Sequence, residues 1–354
     1  MSADRASRLV EALRERELDA LVVTSLVDVR WLTGFTGTNG ACIVTPEGRL
    51  FLTDFRYVEQ AAEQVGGFET VQVGRDLLGE LAKRLPRGRA GFDDAQVSVK
   101  AHARLVERAG TDVELVPAAG TIERLREVKD AGELSRIEAA AKLADAAFVR
   151  TLERGIAGRT ERAVALDLEH EMRAAGAEDP SFPSIVASGA HGALPHAEPR
   201  EVEIPSGVLV TIDWGARLDG YCSDCTRTVA TGEVGERERE VYGLVLRAQR
   251  ESLAAVRAGA ECVAVDAVAR GIIAEAGYGE RFGHGLGHGV GLEIHEGPRL
   301  AKGVEGTLAA GSVVTVEPGV YLPGELGVRI EDLVIVEPDG SRVLTSFPKE
   351  LTVV

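Results

Sequence analysis

The segment LVTIDWGARLDGYCSDCTRT, residues 209–228, sets two carboxylates inside otherwise apolar runs. Asp213 and Asp224 are 224 − 213 = 11 residues apart. A hairpin centred on Leu218-Asp219 pairs positions whose numbers sum to 437, which makes these two aspartates direct partners. Their Cβ atoms would then lie about 4.5–5.5 Å apart on one face, and like charges so placed repel. A fold tolerates that when a cation sits between them. The same arithmetic recurs near the end of the chain. Glu317 and Glu331 sum to 648, around a turn at Pro323-Gly324-Glu325. Arg329 shares the face of Glu331, and Asp332 points the other way. Pro318 interrupts the ladder after Glu317. One such acid alone reads as a solvent-facing residue of an amphipathic strand. Two opposed pairs within VTID and VVTVE point to a cation site.

The rest of the chain reads as two textures. Up to about residue 117, helical and strand-like pieces alternate. Leu9, Val10 and Leu13 mark one helix face, ALVVT a buried strand, and ACIVT, Pro46-Glu47-Gly48 and RLFLT a hairpin. This predicts an α/β domain over 1–123. From Arg124 onward, two long helical patterns (130–154 and 158–175, with Asp130 and Thr160 as caps) precede strands with turn signals. Two more helices, about 235–258 and 261–276, and a closing set of strands follow. The second domain, 124–354, is therefore expected to be α+β, with antiparallel hairpins rather than βαβ units.

Glycines occupy every second position from 283 to 291 in GHGLGHGVGLEIHE. That argues against a helix, although His284 and His288 are spaced i, i+4. The segment is no phosphate loop, because the third glycine and the Gly-Lys-Ser/Thr ending are missing. Three of the seven histidines, His284, His288 and His295, fall here and suggest a site. Cys222 and Cys225 lack the second pair that a structural zinc needs. The net charge of −16 disfavours a nucleic-acid partner. No apolar run approaches the ~18 residues of a membrane helix, and the N-terminus carries no secretory pattern. A cytoplasmic protein is expected.

These residues resemble a known family. HGLGHGVGLEIHE, from His284 to Glu296, is similar to the signature of the proline-directed metallopeptidases with the pita-bread fold. Asp213 in TIDWG, Asp224 in GYCSDCTRT, Glu317 in TVEPGVY and Glu331 in VRIEDLV match the other ligand motifs in order. VRWLTGFTGTNG and TDFRY resemble the creatinase/prolidase-type N-terminal domain. Within the family, the short bacterial Xaa-Pro peptidases are the nearest in kind.

The resemblance implies that Asp213, Asp224, His288, Glu317 and Glu331 bind two divalent ions. Oxygen-rich ligation favours Mn²⁺, with Co²⁺ or Zn²⁺ as alternatives. It also implies that Glu317 is both ligand and proton acceptor, that His295 and His196 contact the substrate, and that His284 and Arg329 help form the pocket for the residue after the scissile bond. His191, in the same SGAHGALPHAEP loop as His196, receives no role. The implied reaction is hydrolysis of the Xaa-Pro bond at the N-terminus of short peptides by an aminopeptidase P-like enzyme. A prolidase-like dipeptidase is the alternative, and a non-catalytic binding homologue a lesser one. A lean towards the aminopeptidase follows from finding no further cation near the metal face besides Arg329 and Arg227. The N-terminal domain implies a homodimer, with Arg30, Trp31, Arg56 and Tyr57 expected in strand-end loops as candidates for the rim of the partner's cleft.

Overall fold

Six short runs rich in apolar and β-branched residues become the strands of one mixed sheet. They are β1 (Ala20–Val23), β2 (Gly40–Val44), β3 (Arg49–Thr53), β4 (Glu69–Gln72), β5 (Gly88–Phe92) and β6 (Val113–Pro117). Their order is β4-β3-β2-β1-β5-β6. The pair β2–β3 is the antiparallel hairpin, whereas β1–β5, β5–β6 and β3–β4 run parallel. Helices cover the sheet, and Val22, Ile43, Leu52, Leu81, Phe92 and Leu105 fill its core. The computed structural model describes residues 2–354, and the chain divides into two units, 1–126 and 127–354.

In the first unit, helix Ser2–Glu15 buries Leu9, Val10 and Leu13, as its periodicity predicts. The expectation of strand-end loops fails for Arg30 and Trp31. Both lie in helix Leu26–Thr33, which Ser25 caps through the Asp28 N–H and Gly34 ends at φ +82°. Trp31 is a core residue, 1% exposed. Ser25 followed three residues later by Asp28 was the overlooked start signal. Arg56 and Tyr57 do lie in the connection after β3, where Arg56 pairs with Asp54 at 2.7 Å.

The second unit begins with two long helices at the expected caps. Asp130 forms a capping box with Glu133 ahead of Ala131–Glu153, and the Thr160 side chain accepts from Ala163 N–H ahead of Glu161–Ala174. Helices Glu236–Ala255 and Cys262–Glu275 follow later. The strands are β7 (Asp179–Pro180), β8 (Ile185–Ser188), β9 (Leu209–Trp214), β10 (Ala216–Leu218), β11 (Tyr221–Cys222), β12 (Cys225–Ala230), β13 (Gly287–Gly289), β14 (Glu296–Leu300), β15 (Val313–Val316), β16 (Gly319–Leu322), β17 (Leu326–Arg329), β18 (Asp332–Glu337) and β19 (Gly340–Val343). Every strand pairing described in this unit is antiparallel. Phe148 stacks on Trp214 with ring centroids 3.8 Å apart at the centre of one apolar cluster.

The two hairpins met their predicted registers differently. In the first, Leu218 pairs with Tyr221 and Asp213 with Thr226, so partners sum to 439 and not 437. The turn is Asp219-Gly220, with φ of 49° and 80°. Two successive positive φ values are those of a two-residue type I′ turn, which Asp-Gly favours. Asp213 and Asp224 are thus offset by two positions along the ladder rather than directly opposed. The second hairpin keeps the predicted sum, with Gly319 opposite Arg329 and Val316 opposite Asp332. Pro318 divides its first arm into β15 and β16. The glycine-rich run is no helix: Gly287–Gly289 is a strand beside β15. A Cβ on Gly287 would lie 2.0 Å from the Thr315 carbonyl oxygen, so only glycine allows that approach. Among the described residues, no helix is long and apolar enough to cross a membrane.

Candidate active site

The two hairpins are joined backbone to backbone. Glu331 N–H, between β17 and β18, donates to the Thr226 carbonyl of β12 at 3.1 Å. Thr226, opposite Asp213 on the ladder, also donates from Oγ1 to Glu331 Oε2 at 2.8 Å. This brings the acids of both hairpins together. Asp213, Asp224 and Glu331 present oxygens within 4.8 Å of one another. Glu317 joins through His288, whose Nε2 is 3.3 Å from Glu317 Oε1 and 3.6 Å from Asp224 Oδ2. Glu317 Oε1 also accepts from Thr315 Oγ1 at 3.1 Å.

One guanidinium faces this acidic group. Arg329, 4% exposed, donates from Nη2 to Asp213 Oδ2 at 2.7 Å, from Nε to Thr226 Oγ1, and from Nη1 to Tyr321 Oη and the Pro195 carbonyl. Its neighbour Asp332 points the other way, into a buried pair with Arg227 at 2.9 Å. That contact gives Arg227 a structural task.

The electrostatics record the crowding. Burial, reinforced by Glu331, Asp213 and Glu317, pushes the Asp224 carboxyl well above the usual carboxylate range. Burial does the same to Glu331, with Glu317 and Asp213 adding to it. The Glu317 carboxyl rises to about 8 through burial, against the lowering influence of Arg329. Burial pulls His288 down to about 4, so its imidazole is neutral. Its Nδ1 lies 3.1 Å from the Gly289 carbonyl and must be the N–H donor there. The Nε2 lone pair is left facing two carboxylates, an arrangement that calls for a cation. Two further atoms tell the same story: Asp213 Oδ1 and Glu331 Oε1 are buried without a hydrogen-bond partner. These donors are hard oxygens with one imidazole, a set that fits divalent ions.

The group opens onto a cavity of about 560 Å³. Every residue singled out from the sequence for the site lines it: Asp213, Asp224, His288, Glu317, Glu331, His196, His284, His295 and Arg329. His295 stands edge-on to His288, ring centroids 4.4 Å apart, and burial lowers its pKa. His284 donates from Nδ1 to the Gly285 carbonyl and accepts at Nε2 from Tyr321 Oη at 2.9 Å, so both its nitrogens are engaged. Phe182, Pro183, Ile185, Pro195 and Ile294 supply apolar wall.

Several residues of the site escaped the sequence reading, among them Thr315, which bonds Glu317 and the His288 N–H. Thr226 and Tyr321 orient Glu331, Arg329 and His284 by the contacts above. Arg299 is exposed, lines the cavity and pairs with His288 across the β13–β14 ladder. No ion pair joins it to another described residue. Cys222 and Cys225 are free, buried thiols.

Comparison with known proteins agrees with this geometry. Residues 135–338 match metallopeptidase family M24, and residues 5–128 match the creatinase/prolidase N-terminal domain. The chain belongs to metallopeptidase family M24. The M24 chain is 41% identical to a solved structure described as Xaa-Pro dipeptidase from Bacillus anthracis, with a TM-score of 0.97 and 100% of both chains covered. It is 36% identical to the Xaa-Pro dipeptidase of Pyrococcus furiosus over 98% of this chain and 99% of the relative. A structure described as X-Pro aminopeptidase from Thermotoga maritima is also 36% identical, with a TM-score of 0.91, covering 99% of this chain and 100% of that one. The architecture is therefore the creatinase-type N-terminal domain followed by the pita-bread catalytic domain, as the sequence motifs implied, and membership of M24 implies a metallopeptidase that uses divalent ions.

Proposed function

We propose that this chain is a two-metal exopeptidase that hydrolyses the Xaa-Pro bond of short peptides, with dipeptides as its best substrates. The observation that carries the reading is the buried carboxylate group, with its unpartnered oxygens and the Nε2 lone pair of His288 turned into the same cavity. Asp213, Asp224, His288, Glu317 and Glu331 would hold the two ions, Mn²⁺ foremost and Co²⁺ or Zn²⁺ as alternatives. When bound, such a pair acidifies water and polarises the scissile carbonyl.

The protein's own groups do the rest. Glu317 Oε1 is engaged by Thr315 and faces His288. Oε2 is the oxygen left to take a proton from the attacking water and to return it to the proline nitrogen as that nitrogen leaves. His295 and His196 line the cavity where the substrate carbonyl would lie. Arg329 acts through its bond to Asp213, and His284 presents its ring to the proline side, both orientations being fixed by Tyr321. A prolyl amide has no N–H to donate, so recognition falls to shape and to the carboxyl end.

Arg299 favours the dipeptide. A dipeptidase must meet the free carboxylate of the product proline with a cation, and Arg299 offers one at the cavity wall. The sequence argument for an aminopeptidase rested on finding no such cation. The same reading takes residues 1–123 and 124–354 as the two domains and has the enzyme working as a homodimer in the cytoplasm, with the N-terminal domain as the pairing element.

The test compares kcat/KM for Xaa-Pro, amidated Xaa-Pro and Xaa-Pro-Xaa, in wild type and Arg299→Ala, after loading with Mn²⁺. The dipeptide should lead, and R299A should erase its lead. Equal cleavage of the amidated and longer peptides would return the enzyme to the aminopeptidase class. No cleavage of any of them at full metal loading would end the Xaa-Pro reading.

A further inference from the structure

Glu161 opens helix Glu161–Ala174 and is fully buried, at 0% exposure. Backbone bonds bring residues 200–204 against it: Glu161 N–H donates to the Val202 carbonyl, Arg162 N–H to that of Arg200, and Ile204 N–H to that of Arg159. The Glu161 carboxylate then reaches both ends of the segment 188–200. Oε1 accepts from Ser188 N–H at 2.9 Å, Ser188 Oγ at 2.8 Å and Arg200 Nη2 at 3.1 Å. Oε2 accepts from His191 Nδ1 at 2.9 Å, Arg200 N–H at 3.1 Å and Arg200 Nε at 3.0 Å. Burial would raise this carboxyl, but the bonds from Arg200 and Ser188 outweigh it and hold the pKa at about 2. The group is therefore an anion throughout the working pH range.

One carboxylate thus closes a surface loop whose two ends meet on it, an arrangement typical of compact functional loops. The later part of this loop, Pro195 to Pro199, lines the catalytic cavity and carries His196. Other contacts seat it as well. The Pro195 carbonyl accepts from Arg329 Nη1, and a Cβ on Gly327 would lie 1.7 Å from the Gly192 carbonyl oxygen, so the loop rests directly on β17 there. Neither contact fixes the separation of the loop ends. His196 and Leu194 are themselves exposed, whereas Ala193 and Ala197 beside them are buried.

We infer that Glu161 is a positioning residue of this peptidase: it clasps residues 188–200 into a closed loop, through Ser188, His191 and Arg200, so that His196 is presented to the substrate. The inference rests on the proposed function only in placing substrate against His196. It gives His191 the task that no motif assigned, as an anchor of the loop rather than a group that touches substrate.

The experiment uses the full-length, Mn²⁺-loaded enzyme and the variants Glu161→Gln, Arg200→Ala, His196→Ala and the double variant E161Q/H196A. Glu161→Gln keeps the shape, removes the charge and turns N–H groups towards donors. With metal content unchanged, E161Q should lower kcat/KM for Xaa-Pro by about 10²-fold, the scale set by small misplacement of a catalytic group. The double variant should be no worse than H196A, because Glu161 acts through His196. Amide hydrogen exchange over 189–199 should quicken in E161Q and, less so, in R200A. Full activity in E161Q, losses that multiply in the double variant, or unchanged exchange would each overturn the inference. If E161Q does not fold, R200A carries the same predictions at smaller size, since the Arg200 side chain is 45% exposed. If wild type cleaves no Xaa-Pro peptide, the proposed function fails, while the exchange measurement still decides whether the clasp exists.

Discussion

Among the described residues, two groups of three carboxylates stand close together, one in each unit. Asp28, Asp93 and Glu123 lie together in the first, and Asp213, Asp224 and Glu331 in the second. Each has its arginine: Arg126 donates to Asp28 at 2.8 Å, and Arg329 to Asp213 at 2.7 Å. The difference lies in the surroundings. Beside the second group stand a fourth acid, Glu317, a neutral imidazole whose lone pair faces the acids, and a cavity of about 560 Å³. Beside the first, Asp93 Oδ2 is likewise buried without a partner, but the group includes no imidazole and the cavity it lines is only about 10 Å³. Clustered acids alone therefore do not make a metal centre. A ligand of another kind and room for substrate do.

The largest expected effect breaks the comparison outright if it fails. Glu331→Gln and Asp224→Asn should abolish turnover and reduce bound Mn²⁺ below the two ions per chain expected of wild type, measured by elemental analysis. Both should also stabilise the metal-free protein, because each removes a buried carboxyl that its neighbours repel. Asp93→Asn should leave metal content and turnover unchanged. Activity lost in D93N, or kept in E331Q, would mean that the functional group has been placed in the wrong unit.

Next in size, His295→Ala should lower kcat by about 10²–10⁴, the range of proton-transfer groups, with both ions retained. His288→Ala should lose metal instead. Equal metal loss in the two variants would exchange their roles. This sharpens the comparison by separating the imidazole that completes the carboxylate group from the one that faces substrate.

The two arginines test what the groups share. Removing one partner of a buried ion pair costs about 3–5 kcal/mol, so Arg126→Ala and Arg329→Ala should each destabilise the metal-free protein on that scale in denaturant titration. Added Mn²⁺ should restore stability to R329A and not to R126A. Equal rescue would show that both groups hold metal.

The metal-side residues were legible because ladder arithmetic and histidine spacing are local properties. The second hairpin kept its predicted register since Pro323-Gly324-Glu325 offers one centre for the turn. The first slipped by two positions because Asp219-Gly220, a type I′ dipeptide, outranks the Leu218-Asp219 centre that would oppose the aspartates. The site survived the slip because side chains on neighbouring pairs of one face still converge. Arg299 went unread because its place at the cavity depends on the β13–β14 ladder, which a bulge after His288 makes irregular. The clasp of Glu161 joins residues 27 to 39 positions away, with no periodic signal between them.

The smallest effect is the pH dependence of the metal-free protein. The Glu317 carboxyl lies at about 8 in the fold, above the ~4.3 of an unfolded glutamate. The folded state therefore binds the extra proton between those values, and stability falls as pH rises through them. His288 works in the opposite sense, since its folded value of about 4 lies below the ordinary 6.5, so stability rises with pH across that interval. Above 6.5 the imidazole no longer contributes, and the carboxyls act unopposed up to about 8. In that window each such group should cost roughly 1.4 kcal/mol per pH unit at most. Glu317→Gln should remove its share of the slope, whereas Asp93→Asn in the other group should leave the slope as it is. Mn²⁺ should flatten the wild-type profile by replacing the proton that the buried carboxyls hold. A metal-free wild type whose stability rises from pH 6.5 to 8 would mean that these acids are ionised without any cation, and the contrast between the two carboxylate groups would lose its electrostatic basis.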